Sequence, residues 1–317
     1  MRQAPLCHEA LGQLGIIAIE AYDQNLGVAG FYSVISGFPR QTLGRCRAIG
    51  GHEVAKRGVL PLRLSGTAFF KKKRRGEMIK GVALVARKAG MDEAEFHRYW
   101  KEVHGPIALR ISALRKYVQS HRLSTPLPGF EQVPYDGVAE VWFDSLADLT
   151  GMAQNPEYIN GAQADEPNFI DTSKLQFLAT HEHLMFEEQP LTRDTRWIKA
   201  VFLLRRRPDL TVSQFQDYWK NGHAPQIPRD MGVLRYVQCH QVPETYATGT
   251  PAYDGMAELW FADMDAFMRY WTSPRIQQIF GEDAPRFLGE GCTAFLAEEH
   301  RVRWPWTHRA VGPWRLR

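Results

Sequence analysis

The chain has 317 residues, the ordinary length of about two domains, with 44% hydrophobic and 23% charged positions and 39 Lys and Arg against 35 Asp and Glu. The basic excess is uneven, because residues 1–77 hold 12 basic and 5 acidic residues, a charge of +7, while residues 78–317 hold 27 and 30, a charge of −3. A nucleic-acid groove needs basic residues gathered on the folded body, so the slightly acidic body argues against that class.

Residues 1–77 form a basic leader. Its apolar run Leu14–Ile19 is stopped by Glu20, and the run from Leu26 is broken by glycines, so neither is long enough for a membrane span. It ends in Lys71–Arg75, KKKRR, which reads as a solvated linker ahead of a targeting or polyanion-binding patch. The leader is not expected to fold with the rest, since the body starts cleanly at Met78 with MIKGVALVARK. Of the four cysteines, Cys7 and Cys46 lie in the leader, and Cys239 and Cys292 align with no cysteine elsewhere. No disulfide framework or zinc cluster is implied, and a reducing cytoplasm is the expected location.

In the body, Met78–Ala86 is short, apolar and β-rich. Asp92–Val103 has helical spacing, with Phe96, Tyr99, Trp100 and Val103 on one side, Asp92 as N-cap, and His104-Gly105-Pro106 as the stop. Lys116–His121 alternates as a strand, Gly137–Phe143 is a third strand, Ser145–Asn160 carries a helix interrupted at Pro156, and Lys174–Leu184 is a fourth strand. The order βαββαβ is the ferredoxin-like unit.

The unit then repeats. Phe96–Ala108, FHRYWKEVHGPIA, returns as Phe215–Ile227, FQDYWKNGHAPQI; KYVQSH returns as RYVQCH, and YDGVAEVWF as YDGMAELWF. The offset is 119 up to Tyr117/Tyr236 and 118 from Tyr135/Tyr253. Such a period is too long for a solenoid, so each copy is a small domain: 78–193 and 194–317. The second copy supplies elements at Trp197–Leu204, Thr211–Lys220, Arg235–His240, Gly255–Phe261, Asp263–Phe280 and Cys292–Arg303. Each sheet has helices for one face only. The expected α+β architecture therefore packs the two antiparallel sheets face to face as one barrel inside the chain, helices outside, with room for a small ligand between the sheets. One chain then contains its own pseudo-dimer, as a monomer or a homodimer of such chains.

The strand start MIK, the YW-x-x-x-H-x-P signature (Tyr99, Trp100, His104, Pro106; Tyr218, Trp219, His223, Pro225), the Y-V-Q-x-H strand and the YDG-x-AE-x-WF strand together resemble the EthD family of the dimeric α+β barrel superfamily. The resemblance spans about 240 residues, in tandem. It implies a soluble enzyme drawn from cofactor-free isomerases, cyclases, lyases and decarboxylases acting on small aromatic, lactone or polyketide-like metabolites, with haem-binding oxygenases and non-catalytic binders as alternatives.

Strand alternation groups Tyr117, Gln119 and His121 on one face, and Tyr236, Gln238 and His240 in the second copy. If the apolar residues of that strand meet the helices, these triplets enter the barrel, where Glu140 and Trp142, and Glu258 and Trp260, are expected to join them. A phenol, an imidazole and a carboxylate in a Trp-walled cavity suit acid–base work on an enolisable or phenolic substrate. The resemblance makes His104 and His223 the leading catalytic candidates, with helix capping as the alternative. Tyr99, Tyr218, Trp142, Trp260, Gln119 and Gln238 are the expected substrate contacts. Glu102 beside His104 favours the first copy. His181 and His183 share one face of the fourth strand, at a spacing a metal or haem iron could use, but the second copy keeps only His300. No metal site is expected, and haem at His183 or His300 belongs to the alternative reading.

Overall fold

The fold comes from a computed structural model that describes residues 18–23, 28–33, 78–131 and 133–304. Within residues 1–75 the described part is an antiparallel pair, β1 (Ala18–Asp23) and β2 (Val28–Ser33), with Ala18 opposite Ser33. The Lys71–Arg75 run lies outside the described residues.

The body is a closed eight-stranded antiparallel barrel. The first copy gives β3 (Ile79–Val85), β4 (Lys116–Arg122), β5 (Gly137–Phe143) and β6 (Gln176–Glu187), and the second gives β7 (Ile198–Leu204), β8 (Arg235–Gln241), β9 (Gly255–Phe261) and β10 (Thr293–Arg303). The order around the barrel is β10-β4-β5-β3-β6-β8-β9-β7. The two sheets are therefore more than stacked. Each is hydrogen-bonded to the other along two seams, β6 with β8 and β10 with β4. The last strand of each copy is the long one, at 12 and 11 residues, because it pairs with its own sheet and then runs on along the other copy. Each seam slips at the same place, between Leu184 and Phe186 and between Arg301 and Arg303, and such bulges sharpen the bend that closure requires.

The helices are α1 (Glu93–Tyr99), α2 (Gly105–Ala108), α3 (Leu146–Thr150), α4 (Val212–Asp217), α5 (Met264–Trp271) and α6 (Pro274–Gln278). Asp92 caps α1 by accepting from the Ala94 and Glu95 amides, and Thr211 with Gln214 forms a reciprocal capping box on α4. The helix expected over Asp92–Val103 changes character at Trp100, where a π turn runs to His104; the second copy repeats it over Tyr218–His223. Such wider turns recur at functional sites. Among the described residues, no helix is long and apolar enough to cross a membrane.

The signature tryptophans explain the glycine of each YDG. A Cβ on Gly137 would stand 2.5 Å from the Ser120 carbonyl oxygen and 2.6 Å from the Trp100 ring, and one on Gly255 would stand 2.6 Å from the Trp219 ring. Helix and sheet meet there at backbone distance. Gly137→Ala and Gly255→Ala are each expected to destabilise the barrel by about 1–3 kcal/mol, the usual cost of overpacking. Chemical denaturation tests this, and an unchanged midpoint would show that the tryptophan can move aside.

Candidate active site

Alternation along β4 and β8 is as expected, but the faces are opposite to those expected. Val118 and Ser120, not Tyr117, Gln119 and His121, face the barrel interior, where the Ser120 hydroxyl donates to Glu140 Oε1 at 2.5 Å. The triplets lie between sheet and helices. Trp100 Nε1 donates to the Tyr117 hydroxyl at 3.2 Å, Gln119 Nε2 donates to the Trp100 carbonyl at 2.8 Å and to the Tyr117 oxygen at 3.0 Å, and the His121 ring lies 4.5 Å from the Trp100 ring. In the second copy Gln238 Nε2 donates to the Trp219 carbonyl at 2.9 Å and to the Tyr236 oxygen at 2.7 Å, and His240 stacks on Trp219. The polar residues go to the helix side because the signature turn offers them a carbonyl and an indole there. Alternation fixes which side chains share a face but not which face turns inward.

Glu140, Trp142, Glu258 and Trp260 do face the interior, and the sheet itself separates them from the tyrosines and histidines. The expected convergence therefore does not occur. At this level the interior is filled by four charged side chains. Lys80 Nζ lies 2.5 Å from Glu258 and 2.7 Å from Glu140; Lys199 Nζ lies 2.5 Å from Glu140 and also pairs with Glu258. All four side chains are at most 1% exposed. Two lysines and two glutamates, one of each from each copy, form a square of alternating charge at the pseudo-twofold axis. Glu182, Cys239 and Glu258 come close enough together to suggest a metal site, but Lys80 already supplies the cation between them, 3.5 Å from Glu182. Below the square the barrel is filled by Val82, Leu84, Val201, Leu203, Met256 and Phe295.

On the helix side, the signature histidines are paired with carboxylates that sequence reasoning missed. His104 Nδ1 donates to Asp165 Oδ2 at 3.0 Å, and His223 Nδ1 to Asp283 Oδ2 at 2.7 Å. The other carboxylate oxygen accepts from Tyr99 at 2.7 Å or from Tyr218 at 2.5 Å. The two tyrosines expected to bind substrate thus hold the aspartates. Burial pushes both imidazoles below their ordinary pKa, against the pull of the aspartate. Each is then neutral near pH 7, with its proton on Nδ1 and a lone pair on Nε2. The missed signal was present in both copies: Asp165-Glu-Pro-Asn-Phe169 and Asp283-Ala-Pro-Arg-Phe287 sit at the common offset of 118. Glu102 does not support His104; its side chain is 60% exposed and reaches toward Arg98.

The equivalent spaces in the two copies are filled differently. In the second copy the gap between sheet and helices is a cavity of about 30 Å³, lined by Phe202, Trp219, His223, Tyr236, Tyr270 and Phe280, which is about one water's share of liquid. At the corresponding positions the first copy has Ala83 for Phe202, Ala108 for Ile227, Val141 for Leu259, Met152 for Tyr270 and Ala162 for Phe280, while His104, Tyr117 and Trp100 are kept. The sheet face shows the difference. Phe202, Ala257 and Leu259 are 5–6% exposed, whereas Ala83, Ala139 and Val141 are only half-buried and Phe177 is 38% exposed. The first copy thus leaves this sheet face less covered than the second, with the ring of Phe177, the cross-strand partner of Ala83, lying across Gly81 while Ala108, Met152 and Ala162 are buried.

Haem does not suit the remaining histidines. Lys220 Nζ lies 3.2 Å from His183 Nδ1, and the groove of about 550 Å³ beside His183 and His240 is lined by Thr211, Ser213, Gln216, Asp217 and Asn221. Val212 and Pro243 complete a wall of mixed character, where a porphyrin needs an apolar slot. His300 sits near Lys101, Arg193 and Arg196, whose charges, after burial, lower its pKa.

Two ferredoxin-like units closed into one eight-stranded barrel, with the helices outside, define an α+β barrel protein. The EthD domain model matches residues 88–173 and 207–291, together more than half of the sequence, and the chain belongs to the EthD family. Among solved structures, an anthrone oxidase-like protein is similar with a TM-score of 0.53 and 7% identity, over 72% of this chain and 94% of its own. A mutant chlorite dismutase from Candidatus Nitrospira defluvii is similar with a TM-score of 0.41 and 8% identity, over 70% and 92%. At such identities the likeness concerns the fold alone. No curated protein matches the chain.

Proposed function

We propose that the first copy carries an acid–base active site for a small, largely apolar aromatic, lactone or polyketide-like molecule, and that the second copy is its scaffold. The carrying observation is the unequal covering of two otherwise equivalent sheet faces: the first leaves Ala83, Ala139 and Val141 half-buried, and the second buries Phe202, Ala257 and Leu259. His104 stands at the cleft with Nδ1 held by Asp165, which leaves Nε2 as the proton acceptor. Tyr117 lies on the same side of the sheet, its phenol pushed up to about 12 mainly by burial, so it remains a hydrogen-bond donor over the neutral range. Apolar walls with a few polar groups are the usual make-up of a small-molecule site. The chemistry this set supports is proton transfer, as in isomerisation, cyclisation or decarboxylation.

The test closes the cleft. Comparing the metabolites of a deletion strain with those of its parent identifies what the protein consumes. A strain carrying the Ala83→Phe/Ala162→Phe chain is expected to accumulate the same compound as the deletion strain. A strain carrying Phe202→Ala/Phe280→Ala should match the parent. If the closed first cleft leaves the metabolite profile at the parental level while the protein remains folded, the site is not in the first copy.

A further inference from the structure

The first copy has a second polar pair that the second copy lacks altogether. The Tyr158 hydroxyl donates to Glu166 Oε1 at 2.9 Å. Glu166 immediately follows Asp165, the partner of His104, in a short 3-10 turn at Glu166–Asn168, and Tyr158 begins the π turn Tyr158–Gln163. At the common offset, Tyr158 corresponds to Ile276 and Glu166 to Ala284, so both partners are apolar in the second copy. Ala284 lines the small cavity together with His223 and Tyr236. By the same placement, Glu166 lies on the side of the first sheet that carries His104 and Tyr117, and it is near enough to Tyr117 for its charge to raise that phenol. The hydrogen-bonded partner of Glu166 is likewise confined to the first copy, which separates the pair from the His–Asp pair that both copies share.

We propose that Glu166 is the general acid of the first cleft and works opposite His104 as an enolising pair on an apolar ketone. The inference rests on the cleft reading above and adds a reaction to it. His104 Nε2 takes a proton from the carbon next to the carbonyl, the electron pair of that C–H bond forms a C=C bond, and the carbonyl π pair takes the proton of the Glu166 carboxyl group. The enol hydroxyl then returns its proton to the Glu166 carboxylate, the C=O bond re-forms, and the C=C pair takes a proton from the His104 imidazolium at the same carbon. The net change is exchange of the α-hydrogen with solvent through the His104 imidazolium, with no other reactant. Burial lifts the Glu166 carboxyl to about 7 against the hydrogen bond from Tyr158, and the Asp165 charge adds to the rise. Part of the population is therefore protonated at neutral pH, as a general acid requires. Tyr158, Asp165 and Tyr117 are the ionisable groups that act on it.

The probe is 2-tetralone, an apolar ketone with exchangeable α-hydrogens. Its deuterium exchange is followed by NMR with the full chain, and its binding by calorimetry. The chain is expected to accelerate exchange above the closed-cleft variant, and Glu166→Gln is expected to lower that rate by about 10²-fold, the usual size of one general acid–base group. Tyr158→Phe removes the hydrogen bond that lowers Glu166, so it should keep exchange and move the corresponding limb of the pH profile upward. If His104→Gln abolishes exchange but Glu166→Gln does not, the cleft reading stands and the role of Glu166 is overturned. If 2-tetralone binds to the open cleft and not to the closed one, yet exchange is never accelerated, the enolising pair is overturned while the cleft remains a binding site. If neither binding nor exchange differs between the open and closed clefts, both readings fail.

Discussion

Lys199→Met is expected to destabilise the barrel by about 3–5 kcal/mol, the cost of leaving buried charge without its partner. The substitution removes one corner of the interior square and leaves Glu140 and Glu258 facing each other with Lys80 between them. Glu299, 3.1 Å from Lys199, keeps Arg301 as its remaining partner. Removing a glutamate as well, in Lys199→Met/Glu140→Leu, should recover much of the loss, because a buried ion pair replaced by apolar groups of similar size is often close to neutral.

The pH dependence follows from the individual groups. Burial alone would raise Glu140, but Lys199 and then Lys80 overcome it and hold the carboxyl well below the ordinary range. Its contribution is present above the unfolded carboxylate value and is lost as pH falls through the folded one. Burial would lower Lys199, yet Glu140, Glu258 and Glu299 raise it. Its contribution is present below the unfolded lysine value and is lost as pH rises through the folded one. Together these place the full effect of the square between about pH 5 and pH 10. Glu258 runs the other way, raised by burial and by the Glu140 charge, so the square is not uniformly stabilising. In Lys199→Met the deficit should be largest near neutral pH and shrink towards pH 4, where an unpaired carboxyl group can take up a proton. Urea midpoints measured across that range decide it. A deficit below about 1 kcal/mol at pH 7 would place the pair among exposed ion pairs in its effect.

His104→Gln and His223→Gln are expected to separate two roles that the signature combines. Both histidines are buried and bonded to an aspartate that also holds a tyrosine, so both tie the signature turn to the segment carrying Asp165 or Asp283. Loss of that tie should cost about 1–3 kcal/mol in either copy. Turnover should fall by about 10²-fold or more in His104→Gln alone, since the cavity beside His223 admits about one water. The melting temperature and the rate with the compound identified in the deletion strain are the two measurements. Equal losses of rate in the two variants would mean that the second cavity opens and works. Unchanged rates in both would leave the histidines as structural ties only.

The fold was legible because the repeat exposed it. Two βαββαβ units, each with one bare sheet face, leave few ways to cover both, and the short strands and signature turns could be placed to within a few residues. The seams were not legible, since the sequence of β6 does not say that its second half pairs with β8. The site was legible in part. His104 and His223 stand out through their signature, whereas hydrophobicity cannot orient β4, a strand polar on both sides, and so does not say which way Tyr117, Gln119 and His121 face. Lys80 and Lys199 passed as ordinary members of an apolar strand, although a lysine kept at the same place in both first strands could have raised the question. Asp165 and Asp283 were equally available at the common offset. What no reading of either copy alone could show is that Ala83 leaves its sheet face less covered, because a small residue acquires that meaning only beside Phe202.

The two hydrogen-bonded seams carry a consequence for how such a barrel can change over time. In a dimer of identical subunits, every substitution enters both halves at once, so a ring that fills one cleft fills its twin, and any gain in firmness is matched by a loss of binding space. With both halves in one chain, and each final strand committed to the other half, partners cannot be exchanged and the halves inherit mutations separately. One half is then free to harden while its sister stays hollow.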